Sequence, residues 1–494
     1  MSVLHCLSSR DGPYVYCKYR SSLTSFILRK MWLTTISASL LVVLFVTWFM
    51  EYIKRWRMPP GPFPWPIIGN LPMFAGKSHL TFIDLAKKYG DVFSLKQGMT
   101  DVVVLNSVDA VREALVEKSV QFAGRPHLQS LDIRTEGRRN MAFADYSPAW
   151  KQHRKLVKSA LREYASDTKL ETKAHEALRD IIDELAKVEG QAVDLNVHIF
   201  NLVYNVVCPV VFGVRFRMED EDFQNLMKFS DDLLKKDPPL GDIYPSIGFL
   251  PNRADNLRDV TDHMIKAQKE AEEDGAHDIT ALTDTHLRQI VADVFLGGTE
   301  TTTQVLRWAI LYLAAHLEIQ EKVTAELDRV VGRDRLPELS DRQNTPYTEA
   351  TVNEVLRMGL IDPLSLPHAT TVDTSLRGYH IPKGTVVLPN LWALHHDPAI
   401  WGDPHTFRPE RFLDETGKLI PKPFALMPFS VGRRACPGDK MGMADTYLLL
   451  GGLVQNFHFS FPKGERPTDF SSDETGGGNV CQPAPYKVVL TYRK

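Results

Sequence analysis

The chain has 494 residues, with Lys+Arg 58 against Asp+Glu 61, a net charge of −3, 44% hydrophobic and 24% charged residues. Those fractions are ordinary for a globular protein and exclude a disordered chain, a collagen repeat or a disulfide miniprotein. Near-neutral charge without a basic stripe excludes nucleic acid as a main partner. Five scattered cysteines (Cys6, Cys17, Cys208, Cys436 and Cys481) include no C-x-x-C pair, so neither a disulfide framework nor a zinc ribbon is expected.

Residues 1–30 read as an N-terminal extension. Met31 to Met50, MWLTTISASLLVVLFVTWFM, then carries no charge, which suits a helix crossing a hydrocarbon core of about 30 Å. Trp32 and Trp48 lie near its ends, where interfacial rings settle. Arg29 and Lys30 precede it while Lys54, Arg55 and Arg57 follow, so loop charge gives no clean orientation. A start at Met31 would remove the upstream charges and leave the body facing the cytosol. Residues 51–70 form a basic, proline-rich hinge. Its Pro59-Pro60-Gly61-Pro62-Phe63-Pro64-Trp65-Pro66 run stops the helix and begins a stiff connector.

The body, 71–494, reads as mainly helical with a small β region. DVVVLNSVDAVREAL (101–115) predicts strand, turn and helix. Residues 284–317 predict one long apolar-periodic helix of about 50 Å. Gly297-Gly298-Thr299-Glu300-Thr301-Thr302-Thr303 in its middle is poor helix former, so an interruption, and a site at it, is expected there. EATVNEVLRMG (349–359) predicts a helix with Glu354 and Arg357 on one face. A strand-and-turn region follows over 376–398, and Gly476–Gly478 marks a tight turn.

Around Cys436 the sequence reads Phe429-Ser-Val-Gly-Arg-Arg-Ala-Cys436-Pro-Gly438. Gly432 and Gly438 allow the backbone a tight turn against a flat ligand, the arginines offer charge-assisted bonds to carboxylates, and N–H groups at a helix start would favour a thiolate. F-x-x-G-x-R-x-C-x-G resembles the haem-binding loop of the cytochrome P-450 superfamily. Further landmarks of that family follow its order: the proline hinge, Trp150 with Arg154, G-G-x-E-T-T from Gly297 to Thr302, Glu354 with Arg357, and F-R-P-E-R-F with Arg411.

The resemblance covers nearly everything from Met31 on and implies the cytochrome P-450 fold behind one N-terminal transmembrane helix. It implies Cys436 as thiolate ligand of a haem b iron, with Phe429, Gly432 and Gly438 shaping the loop. It further implies Arg434, Trp150, Arg154 and His368 at the propionates, and Glu354, Arg357 and Arg411 as a buried network supporting the loop. A thiolate ligand favours O–O cleavage, and Glu300 and Thr301 would relay the protons that step consumes. Nothing resembles a nicotinamide or flavin fold, so electrons would come from NADPH–cytochrome reductase, with a cytochrome-b type donor as a second source. The expected product is a hydroxylated apolar small molecule. The expected place is the endoplasmic reticulum membrane, single-pass, with the catalytic domain cytosolic.

FAGRPHLQSLDI (122–133), AFADYSPAWKQHR (142–154) and NLWALHHDP (390–398) look like the steroid 17α-hydroxylase/17,20-lyase branch. LPHATT (366–371) and FRPERF (407–412) are shared with steroid 21-hydroxylase and aryl-hydrocarbon monooxygenases, which stay open as alternatives, as does a pseudoenzyme without turnover. Three departures from the branch stand out. Pro251-Asn252 runs almost directly into 255–275, shortening the lid over the substrate. Asp231–Asp232 stand where an asparagine would bond a steroid. Arg342 matches one basic position expected for docking the b-type donor, while Asn353 replaces a second arginine. Hydroxylation is therefore expected ahead of carbon–carbon cleavage.

Overall fold

The computed structural model describes residues 15–65, 67–74, 77–127, 132–133, 135–165, 168–235, 259–273, 282–465, 472–473 and 481–493. Two compact units emerge, Met1–Pro59 and Pro60–Lys494. In the first, one helix, α1 (Val15–Arg55), contains the apolar window Phe26–Met50 with a mean hydropathy of 2.1. Its described side chains are exposed, and by length and composition it can cross a membrane. The helix starts upstream of the apolar segment, so half of the predicted extension is helical.

The second unit contains ten longer helices among its described residues: α2 (Ser78–Tyr89), α3 (Pro148–Ala165), α4 (Thr168–Ala186), α5 (Asn196–Val211), α6 (Glu221–Lys235), α7 (Val260–Glu273), α8 (Asp284–Ala315), α9 (Leu317–Val330), α10 (Pro346–Met358) and α11 (Asp439–Asn456). Helix α5 is apolar nearly all round and buried from Ile199 to Val211, as a central helix must be. Helix α4 instead buries one stripe, Leu170, Ala174, Ala177, Leu178, Ile181 and Leu185, at helical spacing. Both pack into one core with α8 and α11.

A four-stranded sheet has the order β1 (Val92–Gln97), β2 (Thr100–Leu105), β7 (Val386–Pro389), β4 (His368–Ala369). The hairpin β1–β2 is antiparallel, β7 runs parallel to β2 with Val103 opposite Val387, and β4 is antiparallel to β7. A three-stranded sheet joins β3 (Ala192–Val193), β11 (Val488–Tyr492) and β8 (Phe457–Ser460). Two hairpins complete the set, β5 (Thr374–Leu376) with β6 (Tyr379–Ile381) and β9 (Ser472–Asp473) with β10 (Gln482–Pro483).

The predicted strand, turn and helix at 101–115 are present as β2 and a helix at Val108–Arg112, which continues into a π-helical turn at Glu113–Glu117. The expected interruption of the long helix is not there. Helix α8 is α-helical throughout: the Thr299 and Thr301 hydroxyls donate to the Phe295 and Gly297 carbonyls at 2.8 and 2.6 Å, and the ladder accommodates both bonds. Residues 251–258 of the shortened lid, the side chains of Asp231 and Asp232, and Gly476–Gly478 lie outside the described residues.

Candidate active site

Cys436 sits half-buried between β-region backbone and the start of α11. Its N–H donates to the Phe429 carbonyl at 2.8 Å, which closes the loop into a tight turn. Gly432 has φ +78°, and a Cβ there would fall 1.9 Å from the Leu115 carbonyl oxygen, so only glycine lets the loop cross the π-helical turn. Gly438 caps α11, and the Phe429 ring lies over Gly442, where a Cβ would be 3.4 Å from the ring, in ordinary contact. Burial pushes the Cys436 thiol up, the Gly438 N–H pulls it down, Asp439 pushes it up, and Arg154 and Lys158 lower it again. The iron of a bound cofactor would be the charge that holds the thiolate.

Three guanidiniums converge beside this loop. Arg434 donates from Nε to the Ala123 carbonyl at 2.8 Å and from Nη2 to the Ala144 carbonyl at 2.7 Å, while its buried Nη1 makes no hydrogen bond among the described residues. Burial, then Arg125 and Arg154, lower its pKa to about 8. Arg154 donates to the Ala435 carbonyl. Trp150 lies beneath both cations, with Arg434 4.0 Å and Arg154 5.3 Å from its ring centroids. The Trp150 N–H donates to the Met141 carbonyl at 2.9 Å, so what the indole offers is its face. His368 bonds the Phe122 carbonyl through Nδ1 at 2.9 Å, and burial with Arg125 and Arg434 nearby lowers its pKa to about 3.

Sequence reasoning missed Arg125, although it stands in FAGRPH. It is buried and donates to the carbonyls of Ala142, Leu366 and Pro367 at 2.8, 2.9 and 2.7 Å. Burial lowers its pKa to about 10, against the raising effect of Asp362. The Gly-Arg-Pro context signalled a fixed turn, but nothing local signalled that two of its three carbonyl partners lie 241 and 242 residues away. Three desolvated, mutually repelling cations and an orphaned guanidinium donor fit a ligand with two carboxylates on a flat body. Haem has that form, so the residues present fit the group the motif implied.

Helix α8 carries Gly297 and Thr301 four residues apart on one face. Thr301 is exposed, and a Cβ on Gly297 would meet nothing within 4 Å. Glu300, one position away, is buried, and Asp293 on the same helix accepts from Met141 N and Ala142 N at 2.7 and 2.8 Å. Burial raises the Asp293 pKa to about 6. Glu354 and Arg357 are fully buried and paired at 2.7 and 2.8 Å, and Arg411 donates to Glu354 at 3.0 Å. The structure thus brings Trp150, Arg154, His368, Arg434 and the cysteine loop together, and Glu354, Arg357 and Arg411 into one network. Of the two positions compared with the b-type donor's docking surface, Arg342 pairs bidentately with Glu349, at 3.0 and 2.8 Å, and Asn353 is buried.

The family model described as Cytochrome P450 matches residues 59–257 and 250–490. A steroid 17-alpha-hydroxylase/17,20 lyase of Ictalurus punctatus is 35% identical, covering 92% of this chain and 95% of that protein. Cytochrome P450 2U1 of Bos taurus is 34% identical, covering 92% and 93%. Among solved structures, a zebra fish cytochrome P450 with abiraterone is similar at a TM-score of 0.77 and 35% identity, over 84% of this chain and all of that one. The zebra fish structure with progesterone gives 0.78 and 34%. The cysteine loop, the guanidinium cluster and these matches agree: the chain belongs to the cytochrome P450 family of haem-thiolate monooxygenases.

Proposed function

We propose that this monooxygenase hydroxylates a steroid-like substrate in the manner of a steroid 17-alpha-monooxygenase. The observation that carries the reading is the likeness, over the whole of the other chain, to a zebra fish P450 solved with progesterone and with abiraterone. The similarly ranked P450 2U1 relatives make a broader apolar substrate the alternative. When bound, haem supplies an iron that activates dioxygen with electrons from a flavoprotein reductase. Cys436 is its thiolate ligand in this reading, and Arg434, Arg154 and Arg125 hold its carboxylates, with Trp150 and His368 packed against them.

The open face of α8 at Gly297 and Thr301 leaves space for a flat, rigid ring system. Thr301 now gives its proton to the Gly297 carbonyl, so it must turn away from that carbonyl to donate elsewhere. Glu300, the next residue, is the acid that would pass on the proton that replaces it. Residues 31–50 anchor the body, 71–494, to the endoplasmic reticulum membrane across the hinge 51–70, with the body in the cytosol. A cytochrome-b type donor is the second electron source in this reading, with Arg342, paired to Glu349, at one of its docking positions.

The test is reconstitution of the full chain with reductase and a comparison of progesterone and pregnenolone with planar aromatics. Steroid 17-hydroxylation together with a steroid-induced spin shift supports the reading, and exclusive turnover of aromatics sinks it. Thr301→Ala should leave the haem spectrum intact and divert electrons to peroxide. Unchanged coupling in that variant removes Thr301 from the relay. A large gain in 17,20-cleavage on adding the b-type donor would overturn the preference for hydroxylation.

A further inference from the structure

We infer that His395 is a positioning residue, the joint through which the Glu354–Arg357–Arg411 network fixes the start of the cysteine loop. The resemblance implies that this network supports the loop, yet among the described residues none of its three side chains hydrogen-bonds any residue of 427–438. Arg357 spends its donors on Glu354 and the His395 carbonyl, and Arg411 on Glu354 and the carbonyls of Trp401, Asp403 and Thr406. The bond that enters the loop is the Met427 N–H donating to Nε2 of His395 at 2.9 Å.

The imidazole is fully buried and uses both nitrogens. Its Nδ1 lies 3.1 Å from the Arg357 carbonyl while Arg357 Nη1 donates to the His395 carbonyl at 2.8 Å, a reciprocal clasp between α10 and the short helix at Leu391–His395. Because Met427 N can only donate, Nε2 carries the lone pair and Nδ1 the proton. The tautomer is therefore set by backbone groups alone. Beyond Met427 the chain is held by Ser430 N to the Met427 carbonyl at 3.0 Å and Cys436 N to the Phe429 carbonyl at 2.8 Å. The ring thus stands at the head of a hydrogen-bonded path that ends at the cysteine. Burial pushes its pKa down to about 3, so it stays neutral beside Arg357.

The two bonds can be separated chemically. A glutamine places an oxygen near the position of Nε2 and keeps the bond from Met427, while an asparagine places an NH₂ near Nδ1 and keeps only the bond to Arg357. His395→Phe keeps the ring and neither bond. The full-length holoprotein is reduced under carbon monoxide, and conversion of the thiolate-type Soret band to the neutral-ligand type is followed at fixed temperature, with far-UV circular dichroism confirming the fold.

H395Q should convert at the wild-type rate, and H395N and H395F about 10-fold faster, the usual scale for a lost outer-shell support of a metal ligand. Should H395N not accumulate, H395F against H395Q makes the same comparison. The inference is overturned if H395N or H395F is as slow as H395Q, or if H395Q fails to fold or converts as fast as they do. The comparison uses no substrate, so it stands or falls apart from the steroid reading.

Discussion

The cysteine and its arginines were legible because a short loop has to write its requirements locally. Gly432 has to cross the Leu115 carbonyl, and Arg434 sits two residues before the cysteine. Arg125 and His395 were not legible, because their partners are carbonyls and an amide that only tertiary structure brings near. Two predictions belong at this scale. Arg434→Leu removes the orphaned Nη1 donor and a charge facing the implied carboxylates. A charged hydrogen bond of about 1.5–3 kcal/mol corresponds to about a 10- to 100-fold loss of haem affinity, measurable by haem titration of the stripped chain. Full haem retention would show that the cluster does not hold the group. Arg357→Ala leaves Glu354 buried with Arg411 as its remaining ionic partner. Breaking such a pair costs about 3–5 kcal/mol, a large share of a domain's stability, so little folded protein is expected. A near-wild-type melting temperature would contradict that accounting.

At the scale of elements, helices declared themselves by periodicity, and strands only where an apolar β-branched run or turn residues marked them, as at β2 and over 376–398. Apolar spacing places α8 within two residues of its observed end, yet composition wrongly suggests a break at Gly297–Thr303, since side-chain hydroxyls bonding back to carbonyls are compatible with an unbroken ladder. Strand β1 went unread because VFSLKQ is buried at five of six positions rather than alternating. The two glycines of α8 now predict opposite outcomes. Gly298 faces α5, where a Cβ would lie 3.2 Å from Val207 Cγ1, so Gly298→Val should destabilise by about 1–3 kcal/mol through overpacking. Gly297 faces open space, so Gly297→Ala should stabilise by about 0.5–1 kcal/mol from helix propensity while narrowing the face beside Thr301. Urea unfolding of both variants, with turnover of a bulky and a slim substrate for the second, checks the pair. Equal effects of the two substitutions would mean that α8 does not present these faces.

For the whole molecule, the buried ionisable groups set the pH at which it is most stable. His368 and His395 are held near 3, His396 near 2, and His79 and His286 near 4, in each case chiefly by burial. Between pH 4 and 6.5 these five bind protons in the unfolded chain and not in the folded one, so stability rises with pH across that window. Three carboxyls act in the opposite sense. Burial raises Asp293 to about 6, Asp362 to about 7 and Asp445 to about 8. Each binds a proton in the folded chain above the pH at which the unfolded chain releases it, so each lowers stability as pH rises toward its folded value. Below pH 6 the histidines outnumber the carboxyls and the slope is upward. Above 6.5 the unfolded histidines lose most of their remaining protons, Asp362 and Asp445 still titrate in the folded chain, and the slope turns downward. Urea midpoints of the haem-free chain should therefore peak between about pH 6 and 7. Asp445→Asn, which removes the highest of the three carboxyls, should flatten the decline above pH 7. A midpoint that keeps rising through pH 8, in the parent chain or with that substitution absent from its effect, would show that these carboxyls ionise freely in the folded protein.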